Sequence, residues 1–204
     1  MHVAAVTGAL ADAMSLDPTM RATIILAAAL HDVGKLTLPA RLWTSSAPLP
    51  RRERCLAQRH SVRGHALLRD LDPPVAQLVA DAALTHHEAW DGSGYPGGLC
   101  GTEIPLVGRM VGLCDVYSAL REARPYKQSV SHADAVEMLT APDPALRTHR
   151  GMFDPDLLSI FLAAGTQVQA AFESPPGDAD GSWRHLMQTA VRGRAVCADR
   201  STAV

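Results

Sequence analysis

An all-α fold follows from three features of the sequence. Apolar residues recur at helical spacing in stretch after stretch, capping residues stand at the head of several stretches, and no run alternates apolar and polar residues for long enough to argue a sheet. Met20–Leu30 (MRATIILAAAL) is apolar on nearly all faces, as a helix buried in a core would be. Asp17-Pro18 ahead of it supplies an N-cap followed by proline at the first helical position. Gly34 and Pro39 end that helix soon after His31-Asp32. Val75–His87 carries Val75, Leu78, Val79, Ala82 and Ala83 as a helical stripe that runs into a double histidine, and Pro73-Pro74 sets its start. Pro105–Arg121 is a further helix, with Met110, Val111, Leu113 and Cys114 near one face. Residues 131–140 and 154–164 repeat the pattern, with Ser131 and Asp154 as caps.

The chain has 204 residues, 47% of them hydrophobic and 20% charged, which suits one globular domain with a tail and excludes a wholly disordered chain. Nineteen Lys+Arg against 21 Asp+Glu leave a formal charge of −2, so no basic surplus points to a nucleic acid polymer. Cys55, Cys100, Cys114 and Cys197 show no CxxC spacing, which argues against a zinc ribbon and a disulfide framework and for reduced thiols. The longest apolar run, Ile24 to Leu30, falls far short of the roughly 18–20 residues that a membrane span needs. The N-terminus lacks the charged region of a signal peptide. The expectation is a cytoplasmic protein with no membrane contact.

One stretch breaks the helical pattern. Asp91–Gly101 (DGSGYPGGLCG) holds five glycines and a proline in eleven residues, which demands a loop with several positive-φ positions. Coming directly after a His-His pair, it is expected to carry function. Ser174–Gly181 (SPPGDADG) reads as a linker. The domain therefore spans residues 1–172, and 173–204 form a linker and tail, either one docked helix (Trp183, Leu186, Met187 and Ala190 are helically spaced) or a disordered end.

The chemistry gathers on imidazoles and carboxylates. His31-Asp32 ends the most apolar helix, and burying both without a partner is costly. A metal ion satisfies an imidazole and a carboxylate together. His60, the pair His86-His87, and Asp115 inside another apolar helical segment raise the same question and have the same answer.

These residues resemble a known family. His31-Asp32-Val33-Gly34-Lys35 resembles the HDxGK signature of HD-domain phosphohydrolases. His86-His87-Glu88, Asp91-Gly92, Gly94-Tyr95-Pro96 and Gly101 resemble the HHExxDGxGYPxGxxG signature of the HD-GYP subfamily. The resemblance continues through Ile104-Pro105, Arg109, Asp115-Val116-Tyr117, Arg124-Pro125-Tyr126-Lys127 and Phe153-Asp154-Pro155. It implies an all-α HD-domain helical bundle with a C-terminal GYP-type extension. It also implies metal-dependent hydrolysis of cyclic di-GMP to pGpG, with GMP as a further product.

Carried over residue by residue, the resemblance implies that Asp32 bridges two divalent ions, iron or manganese. His2, His31 and Asp115 complete the first ion's ligands, and His60, His86 and His87 the second's. His2 is the match to the first-helix HxxxV pattern through Val6, and His65 competes with His60 for the intermediate position. Asp32 and Lys35 become the catalytic residues, a hydroxide shared by the metals the nucleophile, and Lys35, Tyr95, Arg124 and Lys127 the substrate-binding residues. Tyr95 and Pro96 could instead simply brace the loop. Two departures stand out: Ser118 lies where the family carries a second aspartate, and no glutamate precedes His2 to support a third ion. The alternative is a catalytically weak module that binds the cyclic dinucleotide or a protein partner such as a diguanylate cyclase.

Overall fold

A computed structural model describes residues 1–45, 47–71, 75–123, 128–141 and 151–174. In chain order the helices are α1 (His2–Ala13), α2 (Pro18–Leu30), α3 (Arg41–Thr44), α4 (Arg51–Leu68), α5 (Val75–Thr85), α6 (Leu106–Arg121), α7 (His132–Thr140), α8 (Pro155–Ala163) and α9 (Gly165–Glu173). Two 3₁₀ turns, Val33–Thr37 and Gly101–Glu103, complete the regular structure of the described residues. Among the described residues there is no strand, only an isolated antiparallel bridge between Asp91 and Cys100 that pinches the glycine-rich loop.

The caps form where the sequence places them. The Asp17 carboxylate accepts from the backbone N–H of Thr19 and Met20, both at 3.0 Å. Asp154 accepts from Asp156 N–H at 3.0 Å and Leu157 N–H at 3.3 Å, and Ser131 closes a capping box with Asp134. α6 is the central helix, buried on almost every face through Val107, Met110, Val111, Leu113, Cys114, Tyr117 and Leu120. Around it pack α1, α5 and α7, with α2 wedged against α1 and α5, and α9 against α1.

Three elements depart from the expectations. α4 has no apolar run to announce it, because five arginines stud its 18 residues. Its buried positions are Ala57, His60, Ser61, Gly64 and Leu68, a single face that carries a histidine where a core helix would carry leucine. α9 is short and faces the core with Val168 and Phe172 alone. α5 stops at Thr85, so His86 and His87 stand just beyond its end rather than within it. The Pro73-Pro74 start, the linker beyond Ser174 and the tail lie outside the described residues.

A small second core fixes α3. Leu38, Leu42 and Ala57 pack together with Leu49 and Leu56, tying the segment after the first 3₁₀ turn onto α4.

Candidate metal centre

Helix ends deliver His31, Asp32 and His86, and helix interiors deliver His60 and Asp115. His31 caps α2, and its Nδ1 donates to the Ala28 carbonyl at 2.6 Å. Asp32 then opens the 3₁₀ turn that carries Lys35. This turn can lie on α4 only because residue 34 is glycine: a Cβ there would sit 1.9 Å from the His60 carbonyl oxygen and 2.5 Å from Gly64 N. His60 projects from α4 with Nδ1 donating to Ala57 O at 2.8 Å. His86 follows α5, its Nδ1 donating to Ala82 O and Ala83 O at 3.0 and 3.1 Å. α6 meets His86 at Gly112, where a Cβ would lie 2.5 Å from the His86 carbonyl, and Asp115 comes one turn later.

These hydrogen bonds settle the tautomers. A carbonyl oxygen only accepts, so Nδ1 of His31, His60 and His86 each carries a proton, and in the neutral ring each Nε2 presents its lone pair inward. The His60 and His86 Nε2 atoms face each other at 3.3 Å, and His87 Nε2 lies 3.1 Å from that of His60. Asp32 sits between two groups. Its Oδ1 is 3.3 Å from His60 Nε2 and 3.9 Å from His86 Nε2. Its Oδ2 is 3.3 Å from His31 Nε2 and bonded to Lys35 Nζ. Asp115 Oδ1 lies 3.7 Å from His31 Nε2.

The electrostatics follow the burial. Burial, then the neighbouring imidazoles, pushes His87 down to about 3 and His86 well below its ordinary value, and burial lowers His60 too. All three are neutral near pH 7. Burial also opposes charge on His31, but the Asp32 carboxylate, with Asp115 behind, outweighs it and raises its pKa. Burial works against the Asp32 carboxylate likewise; His31 and Lys35 outweigh it and hold that carboxyl far below the usual range.

The residues fit a divalent cation. One donor atom from each of Asp32, His60, His86 and His87 falls within 4.8 Å of the others. His31 Nε2 and Asp32 Oδ1 are buried with no hydrogen-bond partner, and lone pairs that face lone pairs call for a cation between them. The set is nitrogen and oxygen with no thiolate, unlike the cysteine-rich sites of most structural zinc. Cys114 is apart: burial pushes its thiol up to about 12.

The structure thus gathers Asp32, His60, His86 and His87, sets His31 and Lys35 against Asp32, and sets Asp115 against His31. His60, not His65, enters the group. It does not bring His2 in: the His2 ring stacks on Phe172 with centroids 4.4 Å apart, and its Nδ1 donates to the Phe172 carbonyl at 3.0 Å. The imidazoles His31, His60 and His86 are buried as expected, whereas the Asp32 and Asp115 side chains stay 32% and 28% exposed, so the carboxylates mark the open side. Arg124 and Lys127 lie outside the described residues.

The loop folds back on the centre. Gly92, Gly98 and Gly101 take positive φ of 80°, 67° and 57°, as the composition requires. Tyr95 N–H donates to His87 O at 3.1 Å and its ring stacks on His87 at 4.7 Å. Glu88 accepts from Gly97 N–H at 2.6 Å and Leu99 N–H at 3.1 Å, clamping the loop one residue from His87. One neighbour of the centre went unread in the sequence: Trp43 of α3, edge-on to His60 at 5.7 Å and under Lys35 Nζ at 5.1 Å. An indole eight residues beyond a site lysine was the available signal.

Comparison with known proteins identifies the family. The family described as HD domain matches residues 2–156. A cyclic di-GMP phosphodiesterase of Thermotoga maritima is 34% identical over 162 residues, covering 79% of this chain and 42% of the relative. The cyclic di-GMP phosphodiesterase response regulator RpfG of Xanthomonas campestris pv. campestris is 36% identical over 165 residues, covering 80% of this chain and 42% of the relative. The chain therefore spans less than half the length of either. The crystal structure of a cyclic GMP-AMP specific phosphodiesterase of V. cholerae superposes with a TM-score of 0.60 at 17% identity, covering 90% of this chain and 47% of that one, and shows the shared fold. The chain belongs to the HD domain family, and its HHE and GYP segments fit the HD-GYP branch.

Proposed function

We propose that this chain hydrolyses a phosphodiester bond of a cyclic dinucleotide, with cyclic di-GMP as substrate and pGpG as first product. The observation that carries the reading is the placement of Asp32, one oxygen toward His60 and His86 and the other toward His31 and Lys35. The proposed ligands are His31, Asp32 and Asp115 at one ion and Asp32, His60, His86 and His87 at the other. Two divalent ions, iron or manganese, supply Lewis-acid activation of the attacking water and of the phosphoryl oxygens when bound. The chain's own residues do the rest. Neutral His60, His86 and His87 offer lone pairs with no proton to expel near pH 7. Lys35 Nζ, already at Asp32, donates to a phosphoryl oxygen and offsets charge building there. Tyr95, held on His87, walls the substrate's side of the centre, and Arg124 and Lys127 take the phosphate or guanine.

The substrate class is supported by the names of the two curated relatives, both cyclic di-GMP phosphodiesterases. A cytoplasmic location follows from that substrate, and no helix among the described residues is long and apolar enough to cross a membrane. Ser118 supports a second reading, a module that binds the dinucleotide or a diguanylate cyclase and turns over slowly. Its hydroxyl is buried without a hydrogen-bond partner where the family carries an aspartate. One experiment separates them: anaerobic reconstitution with Fe(II) or Mn(II), then chromatography of cyclic di-GMP incubations. Conversion to pGpG is expected. Intact cyclic di-GMP, alongside cleavage by an active HD-GYP control, would sink the enzyme reading.

A further inference from the structure

We infer that Trp43 is a stacking platform for one purine base of the dinucleotide; the inference rests on the phosphodiester-hydrolase reading of the same site. Four rings stand in sequence across the centre: Trp43 meets His60 at 5.7 Å, His60 meets His87 at 4.9 Å, and His87 stacks on Tyr95 at 4.7 Å. The two imidazoles in the middle are the candidate metal ligands, so an aromatic residue flanks the metal-binding pair on each side. A cyclic dinucleotide has the matching layout, a phosphate with a nucleoside to either side.

Lys35 sets the register. Its ammonium lies 5.1 Å from the Trp43 ring centroid and is bonded to Asp32, so a phosphate held by Lys35 leaves the attached nucleoside beside the indole. Trp43 is 37% exposed, so part of its ring is open to a ligand at the centre. It is not loose. Its neighbour Leu42 is 4% exposed in the small core with Leu38 and Ala57, which fixes α3 on α4. An indole face accepts any base, so the platform adds affinity for purines without choosing between guanine and adenine.

The test uses the metal-reconstituted full chain. Trp43→Leu keeps an apolar cover but removes the π face, and Trp43→Phe keeps a smaller one. The ratio of kcat/KM for cyclic di-GMP to that for methyl p-nitrophenyl phosphate, a diester with no nucleobase, is expected to fall roughly tenfold in Trp43→Leu and to recover partly in Trp43→Phe. An unchanged ratio would overturn the platform, including the case where both activities fall together because Trp43 serves only Lys35. A second measurement separates the platform from the hydrolase reading. A Trp90→Phe, Trp183→Phe variant leaves Trp43 as the sole tryptophan of the three. Its emission is expected to quench when cyclic di-GMP is mixed in. Quenching without cleavage would overturn the hydrolase reading alone; cleavage without quenching would overturn the platform alone; neither would overturn both.

Discussion

Gly34→Ala and Gly64→Ala alter the same contact from its two sides, and the structure predicts opposite results. At Gly34 the new Cβ would lie 1.9 Å from His60 O, 2.5 Å from Gly64 N and 2.9 Å from the His60 carbonyl carbon. All three are backbone atoms, so no side chain can swing aside. Restoring ordinary contact means moving the 3₁₀ turn off α4 by more than about 1 Å, since even well-packed interiors tolerate little overlap. That turn carries Asp32 and Lys35, and Asp32 Oδ1 now sits 3.3 Å from His60 Nε2. Metal ligation tolerates only about 0.2 Å, so the shift separates donors that must share an ion. Overpacking of this kind costs about 1–3 kcal/mol, and each kcal/mol lowers Tm by about 2–4 °C in a chain of this size. At Gly64 the nearest atoms would be the Ala83 Cβ at 3.2 Å and Gly34 N at 3.4 Å, a matter of tenths of an ångström. Alanine there also gains roughly 0.5–1 kcal/mol of helix propensity, which offsets the crowding. Elemental analysis after dialysis and a thermal melt read both effects. Gly34→Ala is expected to lose bound metal and melt lower, while Gly64→Ala stays close to the parent. Equal behaviour of the two variants would refute the argument.

Two further predictions follow from groups outside the ligand cluster. His2→Ala removes the contact with Phe172 and is expected to cost about 1 kcal/mol of stability while leaving metal content unchanged, read by denaturant unfolding and elemental analysis; a halved metal content would make His2 a ligand after all. For Cys114, burial raises the thiol to about 12, so it is a protonated thiol at pH 8 and iodoacetamide should label exposed Cys55 and Cys100 in the folded protein but not Cys114, as read by peptide mass spectrometry. The sign for stability follows: its contribution is complete below the unfolded pKa near 9 and drains away as pH climbs from there toward 12. Labelling of Cys114 at the rate of Cys55 would contradict both statements.

What was legible in the sequence was local. The caps at Asp17, Ser131 and Asp154, the His31-Asp32 and His86-His87 pairs and the glycine-rich loop all announce themselves within a few residues. α4 does not, because its buried face is made of Ala57, His60, Ser61 and Gly64, small or polar residues that hydrophobic periodicity passes over. His60 stands out only as one more histidine, and its reason for being buried appears only when α5 is laid beside α4. His2 illustrates the converse. Its contact lies 170 residues away on α9, a pairing that no local pattern encodes. The half-open carboxylates also needed the fold, since their helices are apolar while the residues themselves face the mouth of the site.

The hydrogen bonds that fix the ligand tautomers have a second effect at the helix ends. The carbonyls of Ala28 in α2 and of Ala82 and Ala83 in α5 belong to last turns, where a helix runs out of its own N–H donors. The His31 ring supplies a donor at Ala28, and the His86 ring does so at Ala83 while sharing Ala82 O with its own backbone N–H, so the imidazoles finish the helices that carry them. Both helices thereby aim their electronegative ends at the place where positive charge is wanted, and the same carbonyls draw on the ring N–H and enrich the opposite nitrogen. With an ion bound, cation binding and helix termination would be one cooperative event. An ion leaving the centre loosens the final turns of α2 and α5, and amide exchange there becomes a gauge of occupancy that needs no substrate.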